Sequence, residues 1–432
     1  MLIAEHTGER AILVHLDGHA PDVREDPYEF QELAVSAGAV IASFVSVSRH
    51  QPTARFLIGS GKVEELRQLV LAEEADLVIF NHALTPSQER NLSAALECRV
   101  LDRVGLILDI FAQRAQTYEG KLQVELAQLD HIASRLVGSR KDLSGQLGGI
   151  GLRGPGETQL ESDRRLLRVR VKQIKNRLEK VRNQRELARR SRQRAEIPGV
   201  SLVGYTNTGK STLFNLLTES KVLAADQLFA TLDPTVRRIE VPDLGAATLA
   251  DTVGFIRHLP HKLVEAFRAT LEESASADLL LHVIDAQSPE RDEQIKQVHT
   301  VLKEIEADDV PMLEVYNKID LLDHVDPHIQ RNAEGKPVRV WLSAQSKQGI
   351  ELLQQAIAEL LEDEIYIATV RLTQQDSRLR GKLFDLNAVQ QETHADDGAS
   401  ILALRVAKVE LDKLLSREGM SAADFFAQYT HR

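Results

Sequence analysis

The sequence predicts an α/β chain in four parts: an N-terminal parallel α/β domain, an antiparallel helical hairpin, a doubly wound α/β domain and a small α+β C-terminal domain. Three observations predict it. Short apolar runs alternate with helix-length amphipathic stretches in two regions, about 1–115 and 197–362, as in a parallel sheet covered by helices. Between them, two segments repeat apolar residues at helical spacing, one stripe each. A chain of 432 residues is also too long for one ordinary core.

In the first region, 1–115, strands are expected at Ala11–Leu16, Val40–Val47, Leu77–Phe80 and Arg99–Leu101. Helices are expected at Pro27–Ala37, Gly61–Glu74, Pro86–Leu96 and Gly105–Arg114. The cluster Gly59-Ser60-Gly61-Lys62 lacks the spacing of a full phosphate-binding loop and reads as a tight turn before a helix. A second nucleotide site there, belonging to an ATP-driven RNA remodeller, is the alternative it leaves open.

In the second part, 116–196, Leu122, Leu126, Leu129, Ala133 and Leu136 make one apolar stripe. Leu167, Val171, Ile174, Leu178 and Val181 make another, so two antiparallel helices pack as a hairpin. Gly145, Gly148, Gly149, Gly151, Gly154 and Gly156 between them are too dense in glycine for a helix and form a mobile loop at the tip. The formal charge of the chain is −11, yet residues 160–195 hold 14 Lys plus Arg against 4 Asp plus Glu. An acidic body with one basic arm is the asymmetry of a protein that meets a polyanion with a single element. Arg164, Arg165, Arg168, Lys172, Lys175 and Arg182 lie off the apolar stripe and are expected to meet phosphates.

In the third part, 197–362, strands are expected at Val200–Val203, Ile239–Val241, Ala247–Leu249, Leu279–Ile284, Met312–Tyr316 and Val338–Leu342. The first runs into Gly204, Tyr205, Thr206, Asn207, Thr208, Gly209, Lys210 and Ser211, a G-x4-G-K-[ST] loop leading into a helix at Thr212–Leu217. Glycines let the backbone wrap a polyphosphate, so that successive amides and the helix N-terminus point at the anion. Lys210 brings a positive charge to the β- and γ-phosphates and Ser211 a hydroxyl to Mg²⁺. This is a P-loop, and the segments after it are those of a G domain. Phe229, Ala230, Thr231, Leu232 and Asp233 supply a threonine that closes over Mg²⁺ when the triphosphate is bound, Thr231 being preferred to Thr235. Asp251, Thr252, Val253 and Gly254 supply a carboxylate that holds Mg²⁺ through water and an amide for the γ-phosphate. Lys210, Thr231 and Gly254 are therefore the expected catalytic residues, and Ser211 and Thr231 the metal ligands. Loss of the γ-phosphate frees both segments, which is how such a site switches.

Asn317, Lys318, Ile319 and Asp320 follow a strand, where the Asp320 carboxylate can accept two hydrogen bonds from the guanine edge that adenine lacks. Asn317 supports the other edge, the Lys318 stem lies along the ring, and Ser343, Ala344 and Gln345 bring a backbone amide to guanine O6. One position departs from many GTPases: where a glutamine orients the attacking water, this chain has Phe255. Slow intrinsic hydrolysis, accelerated by a partner, is expected.

The last part, 363–432, is expected to alternate strands at Ile365–Leu372 and Ser400–Val406 with helices at Ser377–Leu386 and Lys408–Arg417. The single cysteine, Cys98, can form no internal disulfide, which fits a reducing compartment, and reads as a small buried hydrophobe. No run of 18 apolar residues is present. Met1–Leu16 has no basic stretch leading into an apolar one, against a secretory signal. A cytoplasmic protein is expected, with peripheral membrane contact left open.

The motifs together resemble the HflX family of translation-associated GTPases. Gly204–Ser211, Phe229–Thr235, Asp251–Phe255 and Asn317–Asp320 carry the likeness, together with Arg153–Glu161, which unrelated GTPases lack. Phe255 is typical of that family. The resemblance implies binding to the large ribosomal subunit, both rRNA and protein, through the basic hairpin and its glycine loop, Gly145–Gly156, in the peptidyl-transferase region; a monomer is the default expectation, and DNA is not an expected partner. It implies hydrolysis stimulated there and separation of stalled ribosomes under stress.

Overall fold

The computed structural model describes residues 8–17, 26–48, 53–138, 155–194, 197–219, 228–233, 235–242, 244–257, 274–362, 365–373, 376–386, 388–395 and 397–430. In the N-terminal domain, β1 (Arg10–Asp17), β2 (Val40–Ser48), β3 (Leu77–Phe80) and β4 (Arg99–Asp102) form an all-parallel sheet in the order β2-β1-β3-β4. Side chains alternate across a strand, so β1 feeds two cores. Ala11 and Leu13 pack with α1 (Pro27–Ser36) and α4 (Arg103–Arg114) on one face. Ile12, Val14 and Leu16 pack with α2 (Ser60–Ala72) and α3 (Pro86–Leu96) on the other. Local chemistry starts these helices. Asp26 caps α1 ahead of Pro27, and Thr85 and Gln88 form a capping box on α3. Cys98 is half-buried beside the second core, where burial pushes its thiol pKa up.

The hairpin is α5 (Tyr118–Gly138) against α6 (Pro155–Arg194). Leu122, Leu126 and Ile174 form its buried seam, flanked by Leu129, Val171 and Leu178. Arg170 makes a two-pronged ion pair to Glu125 at 2.6 and 2.9 Å across it. The loop is shorter at its distal end than the glycine content suggests. Pro155 and Gly156 already belong to α6, because a proline fits the first helical turn, where its missing N–H costs nothing. The other expected tip glycines, Gly145, Gly148, Gly149, Gly151 and Gly154, lie outside the described residues, as does Arg153.

The third domain is a seven-stranded sheet in the order β10-β11-β9-β8-β5-β7-β6. It comprises β5 (Gly199–Val203), β6 (Thr235–Val241), β7 (Gly245–Asp251), β8 (Leu279–Asp285), β9 (Met312–Asn317), β10 (His328–Arg331) and β11 (Pro337–Trp341). The five central strands are parallel, and only the edge strands β10 and β6 run antiparallel to their neighbours. Strand β10 carries one apolar residue, Ile329, and is mostly solvent-exposed, so no hydrophobic pattern marks it. The helices α7 (Lys210–Thr218), α8 (Arg291–Glu304) and α9 (Ile350–Glu362) cover the sheet. Because β5 sits between β8 and β7, strand order reverses at its C-terminal end, which opens the crevice where ligands of such sheets bind.

The C-terminal domain is an antiparallel sheet β12 (Ile365–Leu372), β14 (Ser400–Ala407), β13 (Val389–His394), packed on α10 (Ser377–Asp385), α11 (Lys408–Arg417) and α12 (Ala422–Tyr429). Strand β13 and helix α12 were not expected. The first is mostly polar, and the second buries only Phe425 fully. Among the described residues no helix is long and apolar enough to cross a membrane.

Candidate nucleotide site

The loop from β5 to α7 is held open by backbone geometry. Gly209 takes φ +91°, and a Cβ there would lie 2.3 Å from Asn317 Nδ2, so only glycine fits. Gly254 is required for a different reason: a Cβ would approach Thr206 Cγ2 to 2.9 Å and Lys210 Nζ to 3.1 Å. The Lys210 ammonium is buried under the loop and donates to the Tyr205 carbonyl at 2.5 Å. Burial lowers its pKa to about 8, with Asp251 opposing the shift. A buried cation so weakly compensated gains most from an incoming anion.

Beside it, three side chains from three segments converge. Asp251 Oδ2, at the end of β7, accepts from Ser211 Oγ at 2.9 Å and from Thr231 Oγ1 at 2.9 Å. The two hydroxyls are 2.8 Å apart. The other carboxylate oxygen, Asp251 Oδ1, is buried and lacks a hydrogen-bond partner. Burial raises the Asp251 pKa, and Lys210 pulls it back. Two hydroxyls and a carboxylate, one of whose oxygens is buried and orphaned, are a donor set a hard divalent cation takes, so the residues present fit Mg²⁺. Thr231 reaches this cluster, whereas Thr235 opens β6.

Phe255 points away from the site. Its ring is 2% exposed and packs with Val203, Leu280, Val298 and Leu302. Its backbone straps the loop, with Phe255 N donating to Gly204 O at 3.1 Å and Thr206 N to Phe255 O at 2.7 Å. Phe255→Gln would therefore bury an amide among apolar side chains. It is expected to destabilise the fold by about 2–3 kcal/mol without speeding turnover; a stable variant with faster hydrolysis would refute that placement, and thermal unfolding with single-turnover assays decides it.

At the other end of the crevice, Asn317 is 2% exposed and acts as a tie. Its Nδ2 donates to Thr208 O at 2.8 Å and its Oδ1 accepts from Ala344 N at 2.9 Å. The groups that the sequence assigns to the guanine ring, the Asn317 amide and the Ala344 N–H, thus meet each other here. Lys318 takes φ +67° and its ammonium pairs with Asp285 at 2.7 Å. Ile319 is buried, anchoring a 3-10 turn that leaves Asp320 exposed. Ser343 is buried and its hydroxyl accepts from Ser346 N, while Gln345 is exposed.

The side chains of several residues expected at the nucleotide are held by other parts of the protein. Phe229 meets Phe111 of α4 edge-on at 4.7 Å, and Leu228, Phe229, Leu232 and Val253 join the N-terminal core. The Asp233 carboxylate accepts from Gln116 N and Thr117 N, both at 2.8 Å, at the root of α5. Thr252 Oγ1 donates to Leu202 O at 2.6 Å, within the sheet. Sequence reasoning also missed a buried polar ring. Tyr205 OH donates to Glu29 and accepts from Arg257 N at 2.8 Å. Arg103 pairs with Glu29 and donates to Asn81 Oδ1 at 2.8 Å and Arg257 O at 3.2 Å. Burial and the Glu29 charge push the Tyr205 pKa well up. No local pattern announces contacts between residues this far apart in sequence. The Gly59–Lys62 turn has no comparable cradle: Gly59 precedes α2 in extended conformation, and Lys62 pairs with Glu65 at 2.6 Å.

Comparison with known proteins supplies the family. Residues 24–112 match the family model "GTP-binding GTPase N-terminal", 114–192 "GTP-binding GTPase Middle Region" and 199–318 "50S ribosome-binding GTPase". GTPase HflX of Escherichia coli K12 is 55% identical over 95% of this chain and 96% of its own length. GTPase HflX of Caldanaerobacter subterraneus is 46% identical over 91% of this chain and 90% of its own. A crystal structure of a GTP-binding protein from Sulfolobus solfataricus in complex with GDP covers 82% of this chain and 99% of that one, at 24% identity and TM-score 0.44. The chain is a GTPase and belongs to the HflX family.

Proposed function

We propose that the chain is a GTP-driven ribosome factor that engages the large subunit with its basic hairpin and, once seated, separates stalled ribosomes into subunits. The convergence of Ser211, Thr231 and Asp251 carries the switch half of this reading. Ser211 and Thr231 would hold Mg²⁺ directly and Asp251 through water, so the ion screens the phosphate charge while Lys210 sits over the β- and γ-phosphates. The Gly254 amide meets the γ-phosphate, and Asp320 reads the guanine.

The exposed basic face of α6 supports the ribosomal half. Arg165, Arg168, Lys172, Lys175 and Arg182 are exposed, outside the buried Ile174 seam. Arg164 is partly buried on the same helix. About six phosphate contacts make affinity fall roughly 10³-fold between 50 and 200 mM salt. The test is GTP turnover with and without purified large subunits across that salt range. We expect slow turnover alone, strong stimulation by subunits, and loss of stimulation as salt rises. Stimulation that ignores salt would sink the hairpin reading, and its absence at every salt the ribosomal one.

A further inference from the structure

Asp233 lies two residues before β6, on the segment that carries Thr231. Its carboxylate takes the Gln116 and Thr117 amides and, at 2.5 Å, the Thr117 hydroxyl. Thr117 Oγ1 in turn accepts from Gly120 N at 2.9 Å, so Thr117 caps α5 and Asp233 holds the cap. A carboxylate at this end of the helix also meets its positive dipole. Gly120 makes the fit possible, because a Cβ there would lie 2.0 Å from Asp233 Oδ1.

Two residues upstream, Thr231 sits on Ser211 and Asp251. Two residues of chain reach about 7 Å at most, so the metal-site hydroxyl and the helix cap cannot move independently. Leu232 between them is 2% exposed in the shared core, which makes the segment a packed unit rather than a slack tether.

We propose that Asp233 is a positioning residue for hydrolysis: by capping the hairpin's first helix it holds Thr231 over the site, and it couples nucleotide state to the arm that meets the ribosome. The coupling rests on the reading that the hairpin engages the large subunit. Linkage runs both ways. A partner that fixes α5 and α6 favours the closed position of Thr231, and the γ-phosphate that closes Thr231 stiffens the root of α5. That gives a site whose Phe255 is sunk in the core a route by which a distant partner accelerates it.

The test uses the full chain as wild type, Asp233→Asn and Gly120→Ala. The Gly120→Ala change favours helix α5 intrinsically but expels the carboxylate. Hydrogen exchange of the amides of Gln116 to Lys121 is compared with GDP and with a non-hydrolysable GTP analogue. Single-turnover GTP hydrolysis is measured with and without purified large subunits. In the wild type the analogue is expected to slow exchange at Gln116 and Thr117 about tenfold relative to GDP. Both variants are expected to lose that difference and most of the stimulation, while Gly120→Ala keeps wild-type affinity for GDP. Equal exchange in the two nucleotide states, or full stimulation of Gly120→Ala, overturns the proposal. If wild type is not stimulated at all, the ribosomal reading falls and the exchange comparison alone decides the latch. Because that comparison needs only wild type, a variant that fails to fold does not shield the idea.

Discussion

Asp320→Asn is expected to weaken GTP and GDP binding about 10²–10⁴-fold, because two hydrogen bonds to a charged acceptor are each worth about 1.5–3 kcal/mol. Asp320 stands exposed at the end of a 3-10 turn whose Ile319 is anchored in the core. The change should therefore leave the fold intact and remove recognition alone. An asparagine presents a donor where the carboxylate only accepts, so the variant should gain affinity for xanthine nucleotides, whose 2-oxo group replaces the guanine 2-amino group. Calorimetric titration with GDP, XDP and ADP separates the outcomes. Unchanged guanine affinity in the variant, or no preference for guanine over adenine in the wild type, would remove Asp320 from the base-reading role.

The second large effect is expected at Asn317, for the opposite reason. Asn317→Ala removes a side chain that holds Thr208 O on one side and Ala344 N on the other, both at buried positions. Each orphaned buried group costs about 1–3 kcal/mol, so the apo protein should lose roughly 2–6 kcal/mol. Nucleotide affinity should fall with it, since the phosphate loop and the Ser343–Gln345 loop lose their common tie. Thermal unfolding with and without GDP measures both. Gly209→Ala probes the same joint from the other side, because its Cβ would collide with Asn317 Nδ2; if both variants were as stable as wild type, Asn317 would not be the tie described here. The structure thus gives Asn317 a tie between two loops, beside the base edge that the motif assigns to it.

The alternation of apolar and amphipathic segments was enough for the two parallel sheets, because a strand buried on both faces must be nearly all apolar, as Ala11–Leu16 and Leu279–Ile284 are. Strands β10 and β13 escaped because each is partly exposed and mostly polar, so no period distinguishes them from loop. Within the site, Lys210, Ser211, Thr231 and Asp251 were legible because phosphate and metal chemistry restricts both residue type and spacing. For Phe229, Leu232 and Asp233 the sequence says nothing of where the side chains go. They adjoin a nucleotide motif, which fixes their place in the chain and not the direction of their side chains. Their side chains answer to Phe111, Gln116 and Thr117 instead.

By itself the sequence determined that this protein cradles a triphosphate, and that it carries a basic arm, since both depend on residues within a few positions of one another. Only the tertiary structure decided how those parts are joined. Tyr205 to Glu29 and Asp233 to Thr117 are contacts between residues more than a hundred positions apart. Such pairs leave no periodic trace, because what selects them is the packing of one domain against another and the need to satisfy each polar group that this packing buries.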